Sequence, residues 1–249
     1  MRYNPLGNCG MKVSQIGLGA MVFGWRTMRQ DAATIIGAAL DAGINLIDTS
    51  DSYGKGQSEE IIGEAMTQNG RRDGVLLATK FRFRIEQAAD RGDIVRACED
   101  SLKRLRTDRI DLYQLHYPQR QVPIEEVLRA MDDLIASGKI VYCGVCNFPA
   151  WQVVESFTAA DKSGLCRTIS NQVPYNLLDR SVECEVLPMS VELGHGVIAY
   201  SPLAEGILTG KYRRGEDMPV NSRYAKVDKP GLHRERLTHA VHDLSLIHI

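Results

Sequence analysis

The stretch INLIDTSDSYGKGQSEEIIGEAM, Ile44–Met66, sets an aspartate at the end of a short apolar run. A tyrosine follows five residues later, in a polar loop studded with glycine. The run is too short for a helix and suits a buried strand, and Ser58 can cap a helix reaching Met66. Strand, polar loop and helix in that order form one βα unit, so the question is how often the unit recurs.

It recurs along most of the chain. IGLGA (Ile16–Ala20) reads as a first strand, followed by a helix capped by Asp31 and stopped at Gly43, with Ala32, Ile35, Ile36, Ala39 and Leu40 at helical spacing. After INLID come VLLATK, a helix from Asp93, IDLYQLH, a helix opened by Pro123 and ended by Gly138, and IVYCGV. A helix opened by Pro149, the strand TISNQ, a helix over Val182–Leu193 and the strand GVIAY complete the series. Strands alternating with helices through short loops predict a parallel sheet with right-handed crossovers.

Polar residues sit at or just beyond the strand ends: Asp48, Lys80, His116, Asn147 and Gln172. In a closed barrel all such ends meet at one mouth, whereas an open sheet spreads them along an edge. The expectation is therefore an α/β fold, a (β/α)8 TIM barrel, forming a single domain over residues 1–249. Seven strands are found, so the eighth strand and the last helices are expected to be missing. After Tyr200 only a loop and one helix, Leu232–Leu244, can be read. The final LSLIHI matches what a common sequencing adapter encodes in one frame, so the natural C-terminus is expected to differ. An uninterrupted genomic reading frame ending at Ile249 would overturn that.

Of 249 residues, 44% are hydrophobic and 24% charged, with a formal net charge of -1, so nothing favours nucleic acid or an anionic membrane. No signal peptide or membrane-spanning run is read, which points to a soluble cytoplasmic protein with six reduced cysteines. Cys143 and Cys146 form a lone CxxC on a strand, where residues three apart face opposite sides, so no metal site is expected.

Asp48, Tyr53, Lys80 and His116 fall on consecutive strand ends. A phenol with a pKa near 10 is a reluctant acid at neutral pH. A buried ammonium beside it is expected to lower that pKa, and a carboxylate to hold the ammonium charged. A histidine across the site could hydrogen-bond a carbonyl, so the set can protonate an oxygen while hydride reaches carbon.

LGNCGMKVSQIGLGAMVFG, GINLIDTSDSYGKGQSEEIIGEAM, LLATK, DLYQLH, ASGKIVYCGVCNF, SNQVPYNLLDR and IAYSPLAEGILTGKY run in order from Leu6 to Tyr212. They resemble the aldo-keto reductase superfamily, in its bacterial and channel-subunit-like branch. The resemblance implies a barrel binding NADPH, with NADH not excluded, and a small aldehyde or ketone as substrate. It implies Tyr53 as general acid, Lys80 and Asp48 as its tuning pair, and His116 as the residue orienting the carbonyl. Asn147 and Gln172 would hold the nicotinamide carboxamide, and Tyr200 would stack on the ring. Ser201, Leu203 and Ala204 would line the pyrophosphate path, with Lys211 and Arg223 supplying charge, and Ala20 and Met21 would lie near the nicotinamide. Cys146 stands where the family usually has serine, a weaker hydrogen-bonding partner. The residues that grip the 2'-phosphate follow the eighth strand, so NADPH preference rests on the resemblance alone. Phe23, Trp25, Phe81 and Tyr117 are candidates for shaping the substrate pocket; substrate and oligomeric state are not legible.

Overall fold

The computed structural model describes residues 1–82, 90–213, 216–220 and 222–224. Two short strands, β1 (Tyr3–Pro5) and β2 (Lys12–Ser14), pair antiparallel. The sequence reading missed this hairpin, whose three-residue strands are too short to show a period. Seven strands then form one sheet in chain order: β3 (Leu18–Gly19), β4 (Leu46–Asp48), β5 (Leu76–Phe81), β6 (Ile110–Leu115), β7 (Ile140–Cys146), β8 (Ser170–Pro174) and β9 (Gly196–Tyr200). The pairs from β3 to β8 are parallel. An α/β fold with seven strands in sequential order is what a (β/α)8 barrel lacking one strand provides.

The connecting helices are α1 (Arg29–Asp41), α2 (Gln57–Asn69), α3 (Arg91–Leu105), α4 (Ile124–Ala136), α5 (Ala150–Ser163) and α6 (Val186–Leu193). Several caps differ from expectation. Asp31 lies inside the first turn of α1 rather than at its cap. Ser58 is inside α2, whose N-cap is the left-handed Gly56; its hydroxyl instead donates to the Ala20 carbonyl at 2.8 Å. Helix α3 is capped by Asp90, which forms a capping box with Asp93. The expected helix over Val182–Leu193 is split between a short 3-10 turn (Ser181–Glu183) and α6. The expected helix Leu232–Leu244 and the LSLIHI tail lie outside the described residues.

The described residues fall into two compact units: Met1–Gln172 with Glu185–Ile198, and Val173–Cys184 with the residues from Ala199 onward. In the first, the main core joins the outer faces of the strands to the helices, with Ile47, Leu77, Tyr113 and Val145 packed among Ile36, Ile62, Ile94, Leu134 and Val153. A second cluster lies on the opposite face of the strands: Leu46, Ala78 and Leu112 meet Leu6, Met11 and Val13 of the N-terminal hairpin region. Side chains alternate along a strand, so residues two further on share that inner face. Those residues are Asp48, Lys80 and Gln114. The inner face is thus apolar where the strands begin and polar where they end. In the second unit, Ala204, Ile207, Leu208, Tyr212 and Tyr224 form a small core of their own.

Candidate functional site

Lys80 is the centre of the polar layer, with its side chain only 1% exposed. Its ammonium donates to Asp48 Oδ2 at 2.6 Å and to the Thr49 carbonyl at 2.8 Å. Tyr53 Oη lies 3.5 Å from the same nitrogen, which sits 5.1 Å from the Tyr53 ring centroid. Burial opposes the charge on Lys80, but the Asp48 carboxylate and the Tyr53 and Cys146 groups hold its pKa above the ordinary lysine value. The lysine is therefore charged at neutral pH.

Tyr53 departs from the expectation on acidity. Burial pushes its phenol above the ordinary value, and the Lys80 ammonium only partly offsets that. Burial is a tertiary quantity, which is why the sequence suggested the opposite sign. The phenol consequently keeps its proton at neutral pH. Its place is set by the loop between β4 and α2: Gly54 and Lys55 have φ of 58° and 59°, and Gly56 of 93°. This left-handed run turns the chain from β4 into α2, and a Cβ on Gly56 would lie 2.8 Å from Arg104 Cδ.

His116 follows β6. Its Nδ1 is 3.2 Å from Ser50 Oγ, its ring meets Tyr53 edge-on at 5.8 Å, and it stacks on Tyr117 at 4.7 Å. Burial, helped by Lys80 and Arg82, lowers its pKa to about 4, so the imidazole is neutral at pH 7. Asp48, Tyr53, Lys80 and His116 thus fall together in one unit.

Asp48 Oδ1 accepts from Gln172 Nε2 at 2.9 Å and from Gln114 Nε2 at 3.4 Å. Asn147, whose φ of 61° is unusual for a non-glycine residue, donates from Nδ2 to the His116 carbonyl at 3.1 Å. The fully buried Cys146 thiol donates to Gln114 Oε1 at 3.6 Å, and burial pushes its pKa up to about 12. Ala20 is fully buried and Met21 exposed. Of the pocket candidates, Phe23 and Phe81 are core residues, while Trp25 and Tyr117 are exposed.

Gln114 and Ser50 were missed. The signal for Gln114 was present: in DLYQLH it stands two residues before His116, on the same strand face. Ser50 carried none, because a serine in a polar loop is unremarkable until a histidine is found beside it.

In the second unit, the Tyr200 carbonyl accepts from the Tyr175 N–H, and the Ser201 carbonyl accepts from Asn176 Nδ2 at 3.0 Å. Ser201 and Ala204 have positive φ, Ala204 is buried and Leu203 is exposed. Lys211 Nζ is 5.2 Å from the Tyr212 ring centroid. Arg223 is paired with the buried Glu205 at 2.9 Å, so its charge is already matched by a carboxylate.

A surface hollow of about 550 Å³ is lined by Tyr3, Asp41, Asn45 and Arg71, with Gly74 and Val75, at the beginnings of β4 and β5. It is at the opposite strand ends from Lys80, and carries none of the site chemistry. Among the described residues no group of three or more His, Cys, Asp or Glu is placed to hold a metal ion. No helix among them is long and apolar enough to cross a membrane.

Comparison with known proteins sets this chain among the oxidoreductases of one family. The model of the aldo/keto reductase family matches residues 15–244, and the chain belongs to that family. It is 42% identical over 225 residues to the uncharacterized oxidoreductase YrpG of Bacillus subtilis, covering 85% of this chain and 69% of that protein. The aldo-keto reductase YhdN of the same organism is 43% identical, with 85% and 65% covered. A probable voltage-gated potassium channel subunit beta of Oryza sativa subsp. japonica is 39% identical, with 90% and 70% covered. A crystal structure of the thermostable aldo-keto reductase Tm1743 with the inhibitor epalrestat superposes with a TM-score of 0.75 at 33% identity, covering 83% of this chain and 74% of that one. The chain is thus shorter than its relatives, spanning about 70% of the rice protein's length.

The residues present fit a nicotinamide. Asn147, directly after β7, and Gln172, in the middle of β8, bring two side-chain amides to neighbouring strands, and Gln172 turns its Nε2 to Asp48, so its carbonyl oxygen is not engaged by that bond. An amide pair offers both the donor and the acceptor that a carboxamide needs.

Proposed function

We propose that this chain is a single family domain that reduces an aldehyde or ketone to an alcohol, with NADPH as cofactor. The observation that carries the reading is the charged, buried Lys80 held between Asp48 and the phenol of Tyr53. When bound, the reduced nicotinamide supplies hydride for the carbonyl carbon; Asn147 and Gln172 would hold its carboxamide. Tyr53 gives its proton to the carbonyl oxygen as charge develops there. A phenol with a raised pKa suits this step, since it keeps its proton until a stronger base, the nascent alkoxide, is present. Lys80 then stabilises the phenolate left behind, and Asp48 keeps Lys80 charged throughout. His116 is neutral, so its imidazole can hydrogen-bond the substrate oxygen without competing as an acid. Reading the path of the remaining cofactor along Ser201, Leu203, Ala204 and Lys211 rests on the family resemblance, and Arg223 contributes less because Glu205 engages it. Preference for NADPH over NADH rests on the resemblance too.

The test is Tyr53→Phe, assayed against a carbonyl panel with both nicotinamide cofactors. Loss of a general acid lowers turnover about 10²–10⁴-fold, while cofactor binding followed by fluorescence should be nearly unchanged. Turnover at the wild-type rate would remove Tyr53 from the mechanism. The 39% identity to a channel subunit beta supports a second reading, a cofactor-binding regulatory subunit. Stable capture of a membrane partner, with no reduction across the panel, favours that one. A flat fluorescence titration with NADPH would point instead to an inactive fragment.

A further inference from the structure

Two thiols that the proposed chemistry does not use lie in contact. Cys143 Sγ, in the middle of β7, is 3.5 Å from Cys166 Sγ, although the residues are 23 positions apart. The CxxC neighbour is not the partner: Cys146 turns to Gln114. Cys98 is buried in the main core, Cys9 bonds the Leu6 carbonyl and Cys184 is exposed, so Cys143 and Cys166 are the thiol pair in contact among the described residues.

We propose that Cys143 and Cys166 are a modification site that peroxide closes into a disulfide, bracing β7 to the loop that leads into β8. The two sulfurs differ in the ways this needs. Cys166 is half-buried in the loop between α5 and β8 and can meet a small oxidant. Cys143 is fixed in the sheet and buried, and it resolves the intermediate. Its hydrogen bond with Cys166, together with burial, pushes its thiol well above the ordinary value. It therefore stays protonated until its neighbour is oxidised, and sets a slow second step.

The steps balance. Cys166-SH and hydrogen peroxide give Cys166-SOH and water; Cys143-SH then attacks that sulfur, forming the S–S bond and expelling the second water. Each sulfur loses one electron to the peroxide oxygens. A disulfide has an S–S length of about 2.05 Å, so the sulfurs must close by about 1.5 Å. The loop can supply this: Gly164 has open space around it, and residues 165–169 lie outside any helix or strand. The backbone N–H of Cys166 is tied to Asp132 Oδ1 at 3.1 Å, which keeps the loop over β7 while it adjusts.

The bond would close a ring around all of α5 and the end of β7. By the loop-closure relation, such a ring should raise the melting temperature by about 5–10 °C for a chain of this size. The test is to treat the full chain at low concentration with hydrogen peroxide, alkylate it, and map its peptides without reduction. The expected result is one intramolecular peptide joining residues 143 and 166. Titratable thiols should fall from six to four, the melting temperature should rise, and dithiothreitol should reverse both. Cys166→Ser should lose the cross-link while melting like the unoxidised wild type. Oxidation that stops at a sulfinic acid on Cys166, a cross-link to Cys146 instead, or a bridged form melting no higher than the reduced one would overturn the proposal. The wild-type map decides the pairing even if a variant fails to fold.

Discussion

Replacing Asp48 by asparagine keeps the shape of the side chain and removes its charge, which isolates what the carboxylate does for Lys80. The ammonium is 1% exposed, so no water replaces the lost partner, and the Thr49 carbonyl at 2.8 Å is its best remaining acceptor. Breaking a buried ion pair by removing one member typically costs about 3–5 kcal/mol. The upper end has an independent bound, because Lys80 can give up its proton instead. Neutralising a lysine of ordinary pKa at pH 7 costs about 5 kcal/mol at 1.36 kcal/mol per unit. In the variant the folded-state pKa of Lys80 is then depressed, the unfolded state binds more protons, and stability rises with pH. Urea unfolding at pH 7 and pH 9 should show the deficit of Asp48→Asn narrowing by up to about 2.7 kcal/mol. Lys80→Met should be milder, since Asp48 is 15% exposed and keeps its bonds from Gln172 and Gln114. The double variant should recover much of the loss. Additive single effects, or a deficit below about 1 kcal/mol that ignores pH, would refute the claim that Lys80 is held charged by this carboxylate.

Three further outcomes can be checked in the same way. Burial, with Glu59 nearby, raises the Asp51 pKa from 3.8 to about 6, so the wild type loses stability as pH rises through that range. Asp51→Asn should gain up to about 3 kcal/mol at pH 7 and almost nothing at pH 4 in paired urea titrations. Burial lowers both His116 and His195 to about 4, a contribution that is present above pH 6.5 and lost as pH falls towards 4. His195→Asn should therefore flatten the acid limb of the stability curve by roughly 3 kcal/mol. Gly63→Ala should destabilise by about 1–3 kcal/mol, seen as a lower melting temperature, because its new methyl would lie 2.5 Å from the Arg104 carbonyl, where α2 packs on α3.

The sequence revealed most where a periodic signal met a local one. Strand β9 was read to the residue, and α4 and α5 began directly after Pro123 and Pro149 as expected. One helix start failed because the expected capping residue has another partner. Ser58 looks like a cap in isolation, but its hydroxyl holds the Ala20 carbonyl, 38 residues away. The convergence of Asp48, Lys80, His116 and Tyr53 was legible because three of them stand at strand ends and the fourth in the adjoining loop, whereas the direction of the Tyr53 shift was not, because burial outweighs the ammonium beside it. The Cys143 partner was hidden for the same reason: contact across a turn of chain leaves no spacing rule to read.

The period-two layering of the inner face ties chemistry to strand length. Along β5, Ala78 and Lys80 face inward while Thr79 meets the buried Glu59 of α2 at 2.6 Å. Inserting one residue ahead of Thr79 would send the ammonium of Lys80 outward among the helices and turn Thr79 inward. The strands that carry the inner polar layer can therefore change length ahead of it only by an even number of residues, and the turn after β4 is held to its length by the place of Tyr53.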